Sequence, residues 1–486
     1  MCKRLLAVPI VLVLACSCGG GSDPTGDAGA DADAADDVDA ADAVDAVDDM
    51  DDAADAAPDG PCTVDGDCDN GDYCDGEETC VDGACAPGDE VICDDSDECT
   101  RDACDEATDA CVFTPLGVST VAAGTRVSDT TGDSEIPALA WTGSEIGVAW
   151  LDGVIGATTV QFARVSAAGA VVGSPVQISE GSDHFPLAQI DLAWTGSEYA
   201  AVWLAVFGAD SSMRVLMARM GADGTVTGTE SQVTGETSLM LGPAIAWADS
   251  EFGIGWSDYR ASSDNTEIYF ARYAPDGAKI GADVHVPFAG DNEKLADLAW
   301  SGSEYGLLWH EYVSGPPDIH FTRLAADGSI VGSTLAVTET DSSSSLSRSL
   351  VWTGSEYGAA WMYSESGDTD GAWDVYFGRI SAGGAKVGTD VQVSSSPATF
   401  EFPPIAWNGS AYTLGWTASG GAATEIEIAV VAADGTPAAP IAVTADDGFE
   451  SGYPAVAGTD GEIAVGWKDA RHGSTEIYLS IFGSCE

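Results

Sequence analysis

The chain has 486 residues and a formal net charge of −63, with 80 acidic side chains against 17 lysines and arginines. A chain of this length exceeds one ordinary hydrophobic core, unless that core is built from repeats. The charge excludes nucleic-acid binding of the usual kind, which needs basic side chains, and docking onto anionic lipid through basic residues. Residues 23–109 hold 33 of the acidic side chains, so the charge belongs largely to the N-terminal part.

The first segment has the pattern of an export signal. Residues 1–15 have a short basic start and an apolar run too short to span a bilayer, which predicts a secretory signal peptide. "VLAC" (13–16) resembles the bacterial lipobox, which implies a lipid on Cys16, with Cys18 as second choice; the alternative is an ordinary signal peptide. Residues 16–60 are mostly Asp and Ala, which predicts a disordered acidic tether.

A cysteine-rich segment follows at residues 61–115. Its cysteines are Cys62, Cys68, Cys74, Cys80, Cys85, Cys93, Cys99, Cys104 and Cys111. This density in an exported chain predicts a disulfide module, because the zinc alternative lacks a CxxC pair and a histidine. "CTVDGDCDNGDYC" resembles the start of Dickkopf-type domains, and "CDDSDECTRDACDEATDACVFTP" is similar to a Cys repeat of slime-mould extracellular proteins. Both resemblances imply an extracellular disulfide module.

The same segment contains a partial EF-hand pattern. Asp65, Asp67 and Asp69 stand at alternate positions, but Gly71 comes one place late and Cys68 interrupts the loop. A solvated acidic loop is therefore the preferred interpretation. We expect no cofactor, and structural calcium stays open as an alternative here and in the tether.

The rest of the chain repeats a Trp-anchored stretch that begins as "LAWTGSEIGVAW" (139–150). The second tryptophan of each unit recurs at intervals of 51 to 55 residues, at Trp150, Trp203, Trp256, Trp309, Trp361, Trp416 and Trp467. A period near 50 indicates a propeller or a solenoid. Each unit has four predicted strands, with a Gly-containing turn between the first two and an Asp-Gly or Gly-Gly turn between the last two.

The ends of the repeat region distinguish a ring from an open stack. The seventh unit stops after its third strand (475–483), and an unmatched fourth strand (120–129) precedes the first unit. Moving that strand to the end completes seven units and removes the open edges. We therefore predict an all-β fold, a seven-bladed β-propeller over residues 117–486 that is closed by its N-terminal strand. Closure also brings Cys485 near the cysteine module, where we expect it to pair with an unspecified cysteine.

The paired tryptophans have a structural interpretation. If Gly143 and Ser144 form the turn, Trp141 lies opposite Ile146, and strand alternation places Trp150 on the same face. The two indoles would then pack against the next blade. An aromatic carbohydrate-binding platform is the alternative, but the regularity of the repeat favours packing.

The loops after the second and fourth strands vary, so they are where a site is expected. That face should hold His184, Asp258, Arg260, His310, Glu311, Trp373, Asp469, Arg471 and His472. "WSDYRASSDNTEIYFAR" (256–272) and "WKDARHGSTEIYLS" (467–480) resemble the W-x-D-x-R…DIY repeats of TolB-type bacterial propellers. The Asp–Arg pairs in them are expected to hold loops, with ligand contact as the alternative.

The sequence contains no recognisable catalytic motif, so it predicts a protein that is not an enzyme. The whole resembles a myxobacterial-type surface lipoprotein, a monomer at the outer membrane or cell surface whose N-terminal lipid is its membrane contact. We expect a protein or glycan partner, no nucleic acid and no metal site. The ligand-binding candidates are Asp258, Arg260, His310, Glu311, Trp373, Asp469 and Arg471. Alternatives are a polysaccharide hydrolase or lyase with acids in the propeller mouth, and a structural spacer.

Overall fold

The computed structural model describes residues 61–485 with short gaps. The undescribed positions are residues 1–60, 72, 75, 90, 98, 106–107, 109, 116–117, 131, 155, 182, 209–211, 236–239, 262–264, 288–291, 312–317, 339–343, 365–372, 396, 400–402, 420, 446 and 486. The predicted signal peptide, the lipid on Cys16 and the tether therefore lie outside the described residues. Within the described part, no helix is long and apolar enough to cross a membrane.

The cysteine module contains one short 3-10 helix and two small hairpins. The helix spans Asp65–Asp67, the first hairpin pairs β1 (Thr79–Val81) with β2 (Ala84–Ala86), and the second pairs β3 (Thr100–Asp105) with β4 (Ala110–Pro115). Four disulfides are internal to the module: Cys62–Cys80, Cys68–Cys85, Cys74–Cys104 and Cys93–Cys111. The sulfurs of Cys62, Cys68 and Cys85 lie close together, but all three are in disulfides and hold no thiolate for a metal.

Seven four-stranded antiparallel sheets follow, and they form the blades of a β-propeller. Blade 7 includes β5 (Val118–Arg126), which precedes the other blades in the chain. Blades 1 to 3 consist of β6 (Ser134–Trp141), β7 (Glu145–Asp152), β8 (Thr159–Ser166) and β9 (Val171–Gln177); β10 (His184–Trp194), β11 (Glu198–Phe207), β12 (Met213–Gly221) and β13 (Ser231–Gln232); and β14 (Met240–Trp247), β15 (Phe252–Asp258), β16 (Glu267–Tyr273) and β17 (Lys279–Val286). Blades 4 and 5 consist of β18 (Glu293–Trp300), β19 (Glu304–Glu311), β20 (Asp318–Ala325) and β21 (Ile330–Ala336); and β22 (Ser344–Trp352), β23 (Glu356–Ser364), β24 (Asp374–Ser381) and β25 (Lys386–Gln392). Blades 6 and 7 consist of β26 (Ile405–Trp407), β27 (Ala411–Ala418), β28 (Glu425–Ala432) and β29 (Ile441–Ala442); and β30 (Ser451–Gly458), β31 (Glu462–Asp469), β32 (Glu476–Ser484) and β5.

The ring closes as the sequence predicts. Strand β5 pairs antiparallel with β32, with Tyr478 opposite Arg126, and completes blade 7 from the opposite end of the chain. The fifth disulfide joins Cys99 of the module to Cys485, next to this closure. The prediction of a seven-bladed propeller closed by its N-terminal strand is confirmed, and so is the bond from Cys485 to the module.

The repeated hairpin is explained by its turn and its aromatic residues. Trp141 pairs with Ile146, and Gly143 adopts a left-handed φ of 93°, which glycine tolerates best. The Thr142 hydroxyl accepts hydrogen bonds from the backbone N–H groups of Ser144 and Glu145, at 3.2 and 2.9 Å. The turn is therefore held by its own threonine, and the repeated "TGSE" reports turn geometry rather than a ligand.

The tryptophans face the preceding blade, so the sequence-based expectation that they face the next blade is wrong. Trp150 is fully buried in a cluster that includes Ile477 and Leu479 of blade 7. Trp203 of blade 2 lies with Val160 of blade 1 in the same way. Strand alternation fixes only that the indoles share a face, whereas sheet twist decides which neighbour that face meets.

A second aromatic contact packs adjacent blades against each other. The ring of Tyr199 in blade 2 packs on Trp194 of its own hairpin, at 4.6 Å between centroids, and on Phe162 of blade 1, at 4.9 Å. A Cβ on Gly147 of blade 1 would lie 2.4 Å from the Tyr199 ring, so this position excludes a side chain. The same arrangement joins Gly253 to Tyr305. The repeated glycine thus makes room for the next blade's tyrosine.

Candidate functional site

The two ends of the propeller are formed by different parts of the blades. The hairpin turns within each blade lie at one end, and we call it the turn end. The first residue of strand 1 and the last residue of strand 2 meet at the other, the loop end, as the pairing of Ser134 with Asp152 and of Glu293 with Glu311 shows. Strand 1 borders the central channel, so its first residues lie at the channel mouth. The predicted site residues all come from the loop end.

In blade 3, Asp258 and Arg260 hold each other. Asp258 is fully buried and accepts hydrogen bonds from Trp256 Nε1 at 2.9 Å and from Arg260 Nε at 2.7 Å. Arg260 also donates to Asp283 at 2.6 Å, and its guanidinium lies 3.9 Å from the centroid of the Tyr269 ring. The arginine is therefore neutralised on two sides and stacked, as expected of a residue that holds a loop in place.

Blade 7 repeats this arrangement. Asp469 is buried and accepts a hydrogen bond from Arg471 Nε at 2.8 Å, while Trp467 Nε1 donates to it at 3.2 Å. Burial alone would raise the pKa of Asp469, but the bonds from Arg471 and Trp467 outweigh it, so the pKa lies below its ordinary value. Arg471 lies over the Tyr478 ring, whose hydroxyl is hydrogen-bonded to the exposed His472.

Trp373 and His310 do not form part of an open face. Trp373 is only 2% exposed and belongs to the core cluster between blades 5 and 6, so the expected aromatic ligand contact there is wrong. His310 is 5% exposed and pairs with Lys294. Because neighbouring strand residues point to opposite faces, His310 lies on the other side of the sheet from Glu311.

His184 lies between two carboxylates at the start of blade 2. Its Nδ1 is 3.0 Å from Asp183 and its Nε2 is 2.9 Å from Glu230, while its ring stacks on Phe207. Burial raises the pKa of Glu230, although the bond from the Glu180 backbone N–H and the charge of His184 oppose that change. This histidine ties the loop before blade 2 to the outer strand of the same blade.

Blade 4 brings together a row of acids that the sequence did not single out as a group. Glu293, Glu311 and Asp318 occupy directly opposed positions on strands 1, 2 and 3. Directly opposed residues have Cβ atoms about 4.5–5.5 Å apart, so Glu293 and Asp318 flank Glu311 from either side. His320 Nε2 lies 3.2 Å from Glu311 Oε1, and the imidazole stacks on Trp309 at 4.5 Å. We call these four residues, Glu293, Glu311, Asp318 and His320, the blade-4 acid cluster.

The cluster is shielded from solvent. Glu293 is 2% exposed, and the side chains of Glu311 and His320 are 12% and 8% exposed. Burial lowers the pKa of His320 below its ordinary value, and the nearby Glu311 carboxylate offsets this only in part. His320 is therefore neutral at neutral pH and can accept a proton. Burial also lowers the pKa of Lys294, which neighbours Glu293 on the opposite face.

The same row differs in the other blades. The corresponding residues are Ser134, Asp152 and Thr159 in blade 1, and Ser451, Asp469 and Glu476 in blade 7. In blade 1 the Thr130 hydroxyl bonds to Asp152 at 2.7 Å, and in blade 7 Arg126 pairs with Glu476 at 2.7 Å. Blade 4 differs because all three positions are acidic and Glu311 pairs with a histidine.

Sequence reasoning found Glu311 but missed Glu293, Asp318 and His320. An alignment of the repeats by strand register identifies Glu293 as unusual, because the equivalent residues in blades 1 and 7 are Ser134 and Ser451. A cavity of about 100 Å³ lies elsewhere, at the turn end of blades 1 and 2, and includes Phe162 and Gly224 in its wall.

Comparison with known proteins finds distant structural matches. No family model and no curated protein matches the chain. Among solved structures, it matches the polysaccharide lyase Uly1 at 11% identity and a TM-score of 0.46, over 72% of this chain and 90% of that one. It matches the phage phi92 endosialidase at 8% identity and a TM-score of 0.43, over 76% and 70% of the chains. The chain spans 45% of the length of a prolyl endopeptidase that it matches at 15% identity and a TM-score of 0.44 over 69% of this chain.

These matches correct one expectation. The prediction that the chain is not an enzyme is wrong as drawn, because the solved structures that it matches include a polysaccharide lyase and an endosialidase. That prediction depended on the absence of short catalytic motifs. A propeller assembles its mouth from strand ends and loops far apart in sequence, so a missing local motif says nothing about such a site.

Proposed function

We propose that this propeller cleaves a polysaccharide at its loop end, with the blade-4 acid cluster as the source and acceptor of protons. The observation that carries the proposal is the opposed pair Glu293 and Glu311, with His320 bonded to the second carboxylate. The substrate would be extracellular, since we expect the chain to be exported and lipid-anchored at Cys16; the mass of the mature N-terminus tests that expectation.

The chemistry of glycoside hydrolysis requires two carboxyl groups with different roles. One protonates the leaving oxygen, and the other activates water or attacks the sugar carbon. Glu293 is the more buried of the pair, which makes it the proposed general acid, and Glu311 is the proposed base.

Charge favours hydrolysis over elimination. Elimination by a lyase needs a uronic acid, because the sugar carboxyl group acidifies the proton that is removed. Residues 117–486 alone hold 47 acidic side chains against 14 lysines and arginines, so the propeller repels a polyanionic substrate. A neutral polysaccharide meets no such repulsion. The proposed reaction is therefore hydrolysis, and elimination is the competing outcome.

The test measures product release by the full chain. Neutral and uronate polysaccharides are incubated with the wild type and with Glu293→Gln and Glu311→Gln, and new reducing ends and unsaturated ends are measured separately. Removal of a general acid or base typically costs about 10²–10⁴-fold in rate, so both variants should fall to near background. Unsaturated ends from a uronate polymer would identify a lyase instead.

Asp152→Asn in blade 1 is the matched control. It changes an acid at the same register position, where the carboxylate accepts hydroxyl hydrogen bonds from Thr130 and Ser134. Its activity should equal that of the wild type. The proposal is contradicted if no polymer is cleaved, or if cleavage persists in both glutamine variants.

A further inference from the structure

Tyr453 has a backbone conformation that its residue type rarely adopts. It lies on strand 1 of blade 7 with a φ of 51°, inside a bulge between Gly452 and Ala455. The same left-handed bulge recurs on strand 1 of blades 2 and 3, at Gln189 and Gly242, so it is a feature of the repeat. The equivalent bulge in blade 1 holds Ile136 at a φ of 54°. Bulges of this kind redirect a side chain out of the sheet.

The tyrosine ring is exposed, and one of its faces is supported. Tyr453 is 39% exposed, which is unusual among the aromatic residues of the blades. Lys468 Nζ lies 4.5 Å from the ring centroid, and the same ammonium group is 3.3 Å from Glu135 of blade 1. The lysine is thereby held from blade 1 and supports the ring.

The ring order places Tyr453 across the mouth from the blade-4 acid cluster. Sequential blades contact each other, and strand β30 of blade 7 contacts β6 of blade 1. In a closed ring of seven, blade 4 therefore faces the junction between blades 7 and 1. Lys468 is the residue before Asp469, whose counterpart in blade 4 is Glu311, so both groups lie at the loop end.

We propose that Tyr453 is a stacking subsite for a neutral pyranose ring of the polysaccharide. An aromatic face and the apolar C–H face of a sugar pack against each other, and the acidic surface of the chain selects against a polyanion. This inference rests on the proposed function for its substrate class. It adds a subsite that binds the polysaccharide on the side of the mouth opposite the blade-4 acid cluster. Lys468 is a positioning residue, since it acts through Tyr453.

The test measures binding separately from cleavage. Cellohexaose, mannohexaose, N-acetylchitohexaose and hexagalacturonate are titrated by calorimetry into the full chain and into the Glu293→Gln variant, which prevents turnover. We expect one of the neutral hexasaccharides to bind more tightly than hexagalacturonate. Tyr453→Asn should weaken that binding about tenfold, because the stacking surface is lost. Tyr453→Phe, which keeps the ring, should bind like the wild type.

The controls separate the effect of losing the Tyr453 ring from the effect of substituting a residue with a left-handed φ. Asparagine tolerates left-handed φ values, so Tyr453→Asn keeps the bulge, and Ile136→Asn makes the same change in blade 1 without removing a ring. Ile136→Asn should leave binding unchanged. Equal affinity of Tyr453→Asn and the wild type, tighter binding of hexagalacturonate, or no binding of any neutral probe would overturn the inference. Tyr453-dependent binding without cleavage would refute the proposed function alone, and cleavage without dependence on Tyr453 would refute the subsite alone.

Discussion

Blades 1 to 5 and blades 6 and 7 are joined to their neighbours by different devices. In each of the first five blades an arginine of strand 3 pairs with the glutamate of the first turn: Arg164–Glu145, Arg219–Glu198, Arg272–Glu251, Arg323–Glu304 and Arg379–Glu356. Four of these arginines also donate to a backbone carbonyl in the turn of the next blade, those of Ala222, Pro275, Ala382 and Ala433. A repeated side-chain staple thus crosses each of these junctions.

Blades 6 and 7 lack the residues for this staple. Ala411 and Val430 replace the glutamate and the arginine in blade 6, and Ile481 replaces the arginine in blade 7. The backbones meet directly instead. A Cβ on Gly458 would lie 1.9 Å from the Trp407 carbonyl oxygen, and the Gly461 N–H bonds to the Asn408 carbonyl at 3.1 Å. This contact explains why blade 7 has glycine where the other blades have their first tryptophan.

The closing blade adds two long-range connections. Arg126 of β5 pairs with the fully buried Glu476 of β32 at 2.7 Å. The disulfide between Cys99 and Cys485 ties the chain end to the module. Side-chain staples cross four of the junctions between blades 1 and 6, and backbone contact joins blades 6 and 7. Where the ring must close between distant parts of the chain, the fold uses a buried ion pair and a covalent bond.

The largest expected effect comes from removing the covalent connection. The double variant Cys99→Ser/Cys485→Ser opens a cross-link between residues 386 positions apart, which is the longest loop that a disulfide closes in the described chain. Because a disulfide restricts the unfolded chain more as its loop lengthens, the free energy of unfolding should fall by about 4 kcal/mol. Urea denaturation followed by tryptophan fluorescence measures it.

Cys93→Ser/Cys111→Ser is the control for that variant. It removes a disulfide with a sequence separation of only 18 that lies wholly within the module. The propeller transition should barely move. An equal loss of stability in the two double variants would show that the long loop has no special role in closure.

The next effect concerns the backbone contact between blades 6 and 7. Gly458→Ala forces the turn of blade 6 to move, and overpacking of this kind costs about 1–3 kcal/mol. Gly466→Ala in the same blade is the control, because its Cβ would meet the Leu139 side chain at 3.3 Å, and a side chain can shift. Unchanged stability of Gly458→Ala would mean that the two turns are not in firm contact.

The fold followed from the sequence because it depends on spacing. The regular second tryptophans, the glycine turns and the strand left over at residues 120–129 determine seven blades and their closure, and the structure confirms both. The face that the indoles meet did not follow. Alternation assigns Trp141 and Trp150 to one side, but the twist of the sheet turns that side toward the preceding blade.

The site was harder to predict because residue type does not show whether a side chain is buried or which side chains lie opposite it. Trp373 stood out as an aromatic residue in a variable loop, yet it is buried between blades. Arg260 and Arg471 were correctly expected to pair with their aspartates. Residue type alone does not single out Glu293 and His320. Both lie close to Glu311 only because of the pairing of strands in the folded sheet.

The smallest effect tests the repeated staple itself. Arg219→Met removes the bond to Glu198 at 3.0 Å and the bond to the Pro275 carbonyl of blade 3 at 2.8 Å. The pair is partly exposed, so the loss should be about 1 kcal/mol, mostly from the carbonyl left without its donor. Lys279→Met removes a cation whose ion pair with Asp283 stays within one blade, and it should cost less. Because the bond across the junction recurs at four junctions, Arg219→Met should shift the urea midpoint without changing the slope. A larger loss for Lys279→Met would show that crossing the blade junction contributes nothing.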